Sequence, residues 1–223
     1  MAQRFAELGL HLGLCARHEP VPPSGARAVA ASVDVRRSEQ LDAFATVVAD
    51  ELGPIDLWVN NAGVLAPVGP QRDHDPAAVE HALAVNVGGV AHGTRAFTSR
   101  ARRWAPGHRV LVNISSGAAR SVYEGWSVYG ATKAAVDHFT EVVAAEEPGV
   151  LCHAVAPGVV DTPMQAEVRA ASPEDFPAVG RFEEIDRTGA WNSPAWVADH
   201  LLGLLAGTWR PETVVVRVPD QPR

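Results

Sequence analysis

The segment HRVLVNISS (residues 108–116) decides the fold when it is read together with VLCHAVAPG (residues 150–158). Both are nearly continuous apolar runs of strand length, which is typical of strands buried on both faces of a parallel sheet. Between them, residues 126–146 carry apolar side chains at helical spacing, and Pro148 and Gly149 end the run. A strand, a long helix and a second strand predict a βαβ unit.

The same alternation extends in both directions from this unit. Further strands are predicted at residues 10–16, 27–35, 55–63 and 213–218, and further helices at residues 38–52, from 76 onward and at 194–206. We expect Ser38 and Ser193 to cap two of these helices. Residues 159–190 are expected to form a long irregular excursion. Residues 1–223 are therefore predicted to be a single α/β domain, a Rossmann-like doubly wound parallel sheet flanked by helices.

Composition and charge exclude several classes of protein. A chain of 223 residues with 47% hydrophobic content can bury one sizeable core. Its formal charge of -7 is spread without a basic stripe, so nucleic acid is not an expected partner. No apolar segment approaches the roughly 20 residues that span a bilayer, so no membrane association is expected. Cys15 and Cys152 show no metal-ligand spacing and no secretory leader precedes them, which predicts buried thiols, no metal site and a cytoplasmic location.

Tyr129 and Lys133 are candidate catalytic residues because they are spaced i, i+4 on the predicted long helix. A free tyrosine titrates near pH ~10, and a neighbouring ammonium favours its phenolate and brings proton transfer toward neutral pH. Such a pair also occurs by chance on many helices. Here Ser115 and Ser116 end the preceding strand, where open α/β sheets bind their ligands. Ser116 is the candidate to orient a substrate carbonyl, and Ser115 is interpreted as a simple turn or cap.

Several motifs together resemble the short-chain dehydrogenase/reductase family, and locally its sepiapterin and benzil reductase branch. They are NNAG at 60–63, Asn86 in AVNVGG, NISS with YGATK, and PGVVDT at 157–162. The resemblance implies hydride transfer with a nicotinamide cofactor. It makes Tyr129 the proton-transfer residue, Ser116 the carbonyl orienter, Lys133 the activator and ribose anchor, and Asn86 the holder of a relay water. It also implies that further residues contact the cofactor, namely Asn60, Ala62, Gly63, Pro157, Gly158, Val160 and Thr162.

The choice of cofactor is expected at the end of the family's second strand, where an acidic side chain would exclude a 2′-phosphate. Here that strand ends at Arg17, whose guanidinium can stack on adenine and pair with the 2′-phosphate. NADP(H) is therefore favoured, with NAD(H) as the alternative and a solvated strand-end charge as the simpler role for Arg17. Asp34 and Val35 match the positions that bond and flank the adenine ring.

The resemblance also implies a substrate pocket and an oligomer. Residues 159–190 correspond to the family's substrate lid, and Tyr123, Trp126 and Met164 are expected to line the pocket. Trp126 could equally serve only to pack the core. A homodimer or homotetramer is expected, built by residues 126–146 and the preceding helix.

One part of the family pattern is missing. The family begins with a strand and a glycine-rich turn that holds the cofactor's pyrophosphate, and Met1 falls inside the helix that follows that turn. We interpret this as a start assigned too far downstream, or a truncated chain, rather than as a natural short form. A chain that lacks the first strand is expected to have exposed strand edges and an apolar slot between them.

Three functions remain open from the sequence. The first is an NADP(H)-dependent reductase of a small-molecule ketone or dicarbonyl. The second is an NAD-dependent alcohol dehydrogenase that uses the same site in reverse. The third is a non-catalytic or cofactor-poor scaffold, which the missing turn raises and the intact Ser116, Tyr129, Lys133 and Asn86 argue against.

Overall fold

Strands and helices alternate along the chain in the computed structural model, which describes residues 1–223. The strands are β1 Leu12–Ala16, β2 Ala28–Ser32, β3 Leu57–Asn60, β4 Val110–Ile114, β5 Leu151–Ala156 and β6 Val215–Arg217. The helices are α1 Ala2–Glu7, α2 Ser38–Leu52, α3 Pro76–Leu83, α4 Gly89–Ala101, α5 Ser127–Glu146, α6 Pro163–Arg169, α7 Val179–Thr188 and α8 Pro194–Ala206. The predicted α/β fold with parallel strands and flanking helices is confirmed.

The strands form two separate parallel sheets. One has the order β3-β4-β5-β6 and the other consists of β1 and β2. In the larger sheet Asn60 pairs with Asn113, and Asn113 pairs with Ala154, so the carboxyl ends of β3, β4 and β5 are level. Because parallel strands end at one edge, the loops that follow β3, β4 and β5 meet there. Neither β1 nor β3 has a strand partner on the side where the two sheets are divided.

Helices cover both faces of the larger sheet. On one face, Phe97 of α4 stacks on Trp58 of β3 with ring centroids 6.0 Å apart, and Leu111 packs in the same cluster. On the other face, Leu201 of α8 packs against Val112 of β4. The nearly continuous apolar sequence of β4 follows from this burial on both sides, as predicted for a strand inside a parallel sheet.

Two local expectations were wrong. Ser38 does not cap α2, because the helix already includes it and Arg37 takes the cap position without a side-chain bond. Residues 159–190 are not irregular, since they contain α6 and α7. Val179 and Phe182, three residues apart on α7, are both buried, so this helix is held by an apolar stripe. Ser193 does cap α8, accepting the N–H of Trp196 at 3.1 Å.

No helix of the chain has both the length and the apolar character needed to cross a membrane.

Candidate active site

Tyr129 and Lys133 lie together at the start of α5, both buried. The Lys133 ammonium is 5.8 Å from the centroid of the Tyr129 ring and donates a hydrogen bond to the Ile114 carbonyl at 2.8 Å. This bond anchors the side chain at the carboxyl end of β4. The spacing predicted from the sequence therefore produces a phenol and an ammonium side by side in the interior.

Burial sets the protonation of this pair. It raises the pKa of Tyr129, and the neighbouring Ser116 hydroxyl acts in the opposite direction. Burial also lowers the pKa of Lys133 to about 8, and the Asp137 carboxylate opposes that fall. The phenol thus keeps its proton at neutral pH, and its pKa is raised by burial where the spacing with Lys133 had predicted a lowered one. The arrangement can deliver a proton to an oxygen atom placed next to Tyr129.

The two serines after β4 have different roles. The Ser116 hydroxyl accepts the Ala118 N–H at 3.2 Å and opens the short turn Gly117–Ala119. Ser115 is buried, and its hydroxyl donates a short hydrogen bond to the Asp137 carboxylate of α5. The interpretation of Ser115 as a turn or cap residue was wrong, because its side chain joins β4 to α5.

Asn86 is fully buried in a π-helical turn, Ala84–Gly88, between α3 and α4. Its Oδ1 accepts the Val64 N–H at 2.8 Å, and its Nδ2 donates to the Val64 carbonyl at 2.9 Å and to the Thr132 hydroxyl at 3.1 Å. Both N–H groups of the side chain are therefore taken, and the second lone pair of Oδ1 is the acceptor that it could offer to a relay water. The π-helical turn is itself a feature that occurs frequently at functional sites.

A cavity of about 310 Å³ opens where the two sheets are divided. Six of the residues expected to bind the cofactor line it, namely Arg17, Asp34, Val35, Asn60, Ala62 and Gly63. Gly63 brings this cavity close to α5, since a Cβ at this position would lie 3.6 Å from the Lys133 nitrogen.

Of the two charged residues that line the cavity, Asp34 is already in an ion pair within the chain and Arg17 is not. The Arg17 side chain is exposed and makes no ion pair or hydrogen bond within the chain. The Asp34 carboxylate is already paired with Arg36, whose hydrogen bonds lower the pKa of Asp34 to about 2. Arg17 can therefore meet an incoming anion directly, whereas Asp34 presents a carboxylate that Arg36 has partly neutralised.

Asn60 serves mainly to hold the sheet. Its side chain accepts the Trp58 indole N–H at 2.7 Å and donates to Asn113 at 2.8 Å and to Thr94 at 3.2 Å. Gly93 on α4 permits this approach, because a Cβ there would lie 2.0 Å from the Asn60 oxygen. Asn60 lines the cavity, but its side-chain amide is already hydrogen-bonded to residues of the interior.

The loop after β5 carries four further expected cofactor residues, Pro157, Gly158, Val160 and Thr162. Thr162 is exposed and precedes α6 without making a side-chain cap bond, so its hydroxyl is free. Asn192, which the sequence analysis missed, holds this loop. It donates to the Pro157 carbonyl at 2.8 Å, and its oxygen accepts the Gln221 N–H at 2.8 Å. The one signal for Asn192 in the sequence was its place two residues before Pro194, where α8 begins.

Aromatic residues cover Tyr129. Trp126 contacts Tyr129 edge to face with ring centroids 5.5 Å apart and stacks on Phe176 at 4.3 Å. Tyr123 lies 5.1 Å from Trp126, and Met164 packs on the same cluster. The indole nitrogen of Trp126 is buried and has no hydrogen-bond partner. Trp126 thus lies against the Tyr129 ring and carries an unused donor, and the other two residues expected in the substrate pocket, Tyr123 and Met164, pack on the same cluster.

No group of three or more histidine, cysteine or acidic residues is arranged to hold a metal ion.

Comparison with known proteins defines the family. The model of the short chain dehydrogenase family matches residues 1–173. The chain belongs to the short-chain dehydrogenase/reductase family, whose members are oxidoreductases that use nicotinamide cofactors.

Its similarity to individual proteins agrees with the branch expected from the motifs. It is 35% identical to the (S)-benzoin-forming benzil reductase of Bacillus cereus over 181 residues, which are 79% of this chain and 72% of that protein. The corresponding enzyme of Bacillus subtilis is 33% identical over 166 residues, 73% of this chain and 68% of that protein. Among solved structures, the KRED1-Pglu enzyme has a TM-score of 0.76 and 30% identity, covering 84% of this chain and 78% of that one. The resemblance to the benzil reductase branch is confirmed.

Proposed function

We propose that this protein is an NADP(H)-dependent carbonyl reductase that converts a ketone or dicarbonyl to an alcohol, with Tyr129 as proton donor. The observation that carries the proposal is the buried contact of Tyr129 with Lys133, beside Ser116 and next to the cavity between the sheets. The similarity to benzil reductases supports a dicarbonyl substrate.

The residues present fit the two ends of a nicotinamide dinucleotide. Arg17 offers an unpaired guanidinium for a 2′-phosphate, and Asp34 and Val35 flank the same part of the cavity. Lys133 uses one N–H on Ile114 and retains two for ribose hydroxyls. Thr162 has a free hydroxyl for a carboxamide. When bound, the cofactor supplies the hydride.

The chain's own residues account for the remaining chemistry. Ser116 orients the substrate oxygen, and Tyr129 gives this oxygen its proton as negative charge develops there. The Lys133 charge stabilises the phenolate that remains. Lys133 would hold the ribose and is placed to return a proton to the phenol, since a Cβ at Gly63 would lie 3.6 Å from its nitrogen and 3.4 Å from the Asn86 oxygen. The aromatic cover of Trp126 and Phe176 excludes water from the reaction.

The pocket residues favour an aromatic or apolar substrate. Tyr123, Trp126 and Met164 surround Tyr129 with apolar surface, and residues 159–190 form the lid through Phe176 and α7. The buried Trp126 N–H is a donor that a second carbonyl oxygen of the substrate would satisfy.

Two further features belong to the proposal. The exposed side of α5 carries small residues such as Ala131, Ala134 and Ala135 together with Val142, which suits pairing of α5 and α4 with a second copy in a homodimer or homotetramer.

Both cysteines are free thiols, in keeping with a cytoplasmic location. The divided sheet favours the competing role of a cofactor-poor scaffold, whereas alcohol oxidation with NAD would use the same site in reverse.

Reduction of benzil with NADPH tests the proposal. We expect Tyr129→Phe to lower kcat by at least about 100-fold while NADPH affinity changes less than about twofold, because only the transferred proton is lost. Tyr123→Phe is the matched control, since it removes the other tyrosine hydroxyl of the chain. Normal turnover by Tyr129→Phe would exclude Tyr129 as the donor. A wild-type chain that binds NADPH tightly without reducing any diketone, or oxidises alcohols with NAD more efficiently, would exclude the proposed reaction.

A further inference from the structure

Lys133 has an electrostatic neighbour that the family motifs do not include. Asp137 is on the same face of α5, one turn after Lys133, and is buried although it is acidic. A carboxylate at this depth requires hydrogen bonds or opposite charge to remain ionised. The groups around Asp137 therefore indicate what its carboxylate does.

Two groups contact the Asp137 carboxylate, since the Ser115 hydroxyl donates to Oδ1 and Oδ2 lies 3.8 Å from the Arg120 guanidinium. Burial raises the pKa of Asp137, and Ser115, Arg120 and the charge of Lys133 act to lower it. Lys133 acts from the preceding turn of α5 without an ion-pair contact. Glu141, one turn farther along α5, raises the pKa of Asp137. Because Arg120 is largely exposed, its charge is screened by water, whereas Lys133 and Asp137 interact within the interior.

We propose that Asp137, fixed by Ser115, is a positioning residue that keeps Lys133 charged and in place beside Tyr129. The Ile114 carbonyl takes one Lys133 proton but carries no net charge, so Asp137 is the anion that offsets burial of the ammonium. The hydrogen bond from Ser115 fixes the side chain of that anion. The two serines after β4 thus have different roles, since Ser116 orients the substrate oxygen and Ser115 fixes the carboxylate of Asp137.

The chain offers a direct readout that does not depend on turnover. Lys133 is its only lysine, so protein grown with lysine carrying ¹³C at Cε has a single labelled side chain. The chemical shift of that carbon, followed from about pH 6 to 11, reports the titration of Lys133 alone. The consequence for catalysis rests on the proposed function, but this titration does not.

Removal of the counter-ion tests the proposal. We expect Asp137→Asn to lower the Lys133 midpoint by about one pH unit, since the amide keeps the size of the carboxylate and loses its charge. Ser115→Ala should lower the Lys133 midpoint by less than Asp137→Asn does. Asp137→Glu, which keeps a carboxylate, should also give a midpoint closer to that of the wild type. Glu141→Gln is the control, because it removes an exposed carboxylate from the same helix two turns from Lys133.

The outcomes separate two questions. If Asp137→Asn leaves the Lys133 midpoint unchanged, or Glu141→Gln shifts it equally, Asp137 is not the counter-ion and the inference is overturned. If Asp137→Asn does not fold, Ser115→Ala and Asp137→Glu replace it in the test. A Lys133 midpoint that is lowered in Ser115→Ala supports the inference, and a midpoint that is unchanged in both variants overturns it. A shifted midpoint in a protein that reduces no carbonyl would uphold the electrostatic link and reject the proposed function. In an active enzyme, we expect Asp137→Asn to move the alkaline limit of kcat to lower pH by the same amount, with little change in KM.

Discussion

Asn86 and Val64 are joined by two hydrogen bonds, with the side-chain amide accepting the Val64 N–H and donating to its carbonyl. This pair ties the π-helical turn to the loop after β3, and the third bond, to Thr132, reaches α5. Three elements of the site are therefore held by one amide.

Replacement of Asn86 should destabilise the fold as well as the site. We expect Asn86→Ala to lower the free energy of unfolding by about 3 kcal/mol, because the half-buried N–H and carbonyl of Val64 and the buried Thr132 hydroxyl lose their partner. Urea unfolding followed by circular dichroism measures it. Asn86→Asp keeps the acceptor for the Val64 N–H and loses the donors, so it separates the two halves of the interaction. A loss below about 0.5 kcal/mol in Asn86→Ala would show that water replaces the amide at little cost.

Burial of the charged Lys133 side chain should lower the free energy of unfolding at neutral pH. Its pKa falls from an ordinary value of 10.5 to about 8, a difference that corresponds to about 3 kcal/mol. Because the folded-state pKa of this base is lowered, its cost is fully present below about pH 8 and disappears as pH rises toward the unfolded value.

We therefore expect the double variant Lys133→Met with Asp137→Asn, which leaves no buried carboxylate without a counter-charge, to raise the free energy of unfolding by about 1–3 kcal/mol at pH 7, and to abolish turnover. The gain should shrink as the pH approaches about 10. Denaturant melts of both proteins at several pH values provide the measurement. A double variant that is less stable than the wild type at pH 7 would contradict this account.

Arg17 should decide between the two cofactors. We expect Arg17→Ala to lower kcat/KM for NADPH by about 10–100-fold, because a charge-assisted contact with the 2′-phosphate is lost, and to leave NADH nearly unaffected. Steady-state rates with each cofactor measure the ratio. Arg37→Ala is the control, since Arg37 is also exposed and lies just beyond β2. Equal losses with NADPH and NADH would mean that Arg17 does not read the phosphate.

Trp126 should distinguish diketones from monoketones. Trp126→Phe keeps an aromatic ring against Phe176 and removes the unpartnered indole N–H. We expect kcat/KM for benzil to fall about tenfold, as for one lost hydrogen bond to a buried donor, and that for a monoketone such as acetophenone to stay the same. The free energy of unfolding should not fall by more than about 1 kcal/mol. An equal effect on both substrates would assign Trp126 to packing alone.

Much of the site was predictable because its information is local. The spacing of Tyr129 and Lys133 fixes their common face, and the place of Ser116 after an apolar strand puts it at the sheet edge. The two helices within residues 159–190 were missed because they are short and mostly polar, and only packing against Trp126 and its neighbours reveals their buried stripe.

The sequence by itself determined the parallel α/β architecture, the long helix that carries Tyr129 and Lys133, and the family, since periodicity and motif spacing are properties of short segments. Only the tertiary structure decided which groups those residues meet. Ser115 and Asp137 are 22 residues apart, and Asn192 and Pro157 are 35 apart. Burial in a shared interior makes such distant polar groups pair, because an unpaired one would lose its bonds to water without replacement.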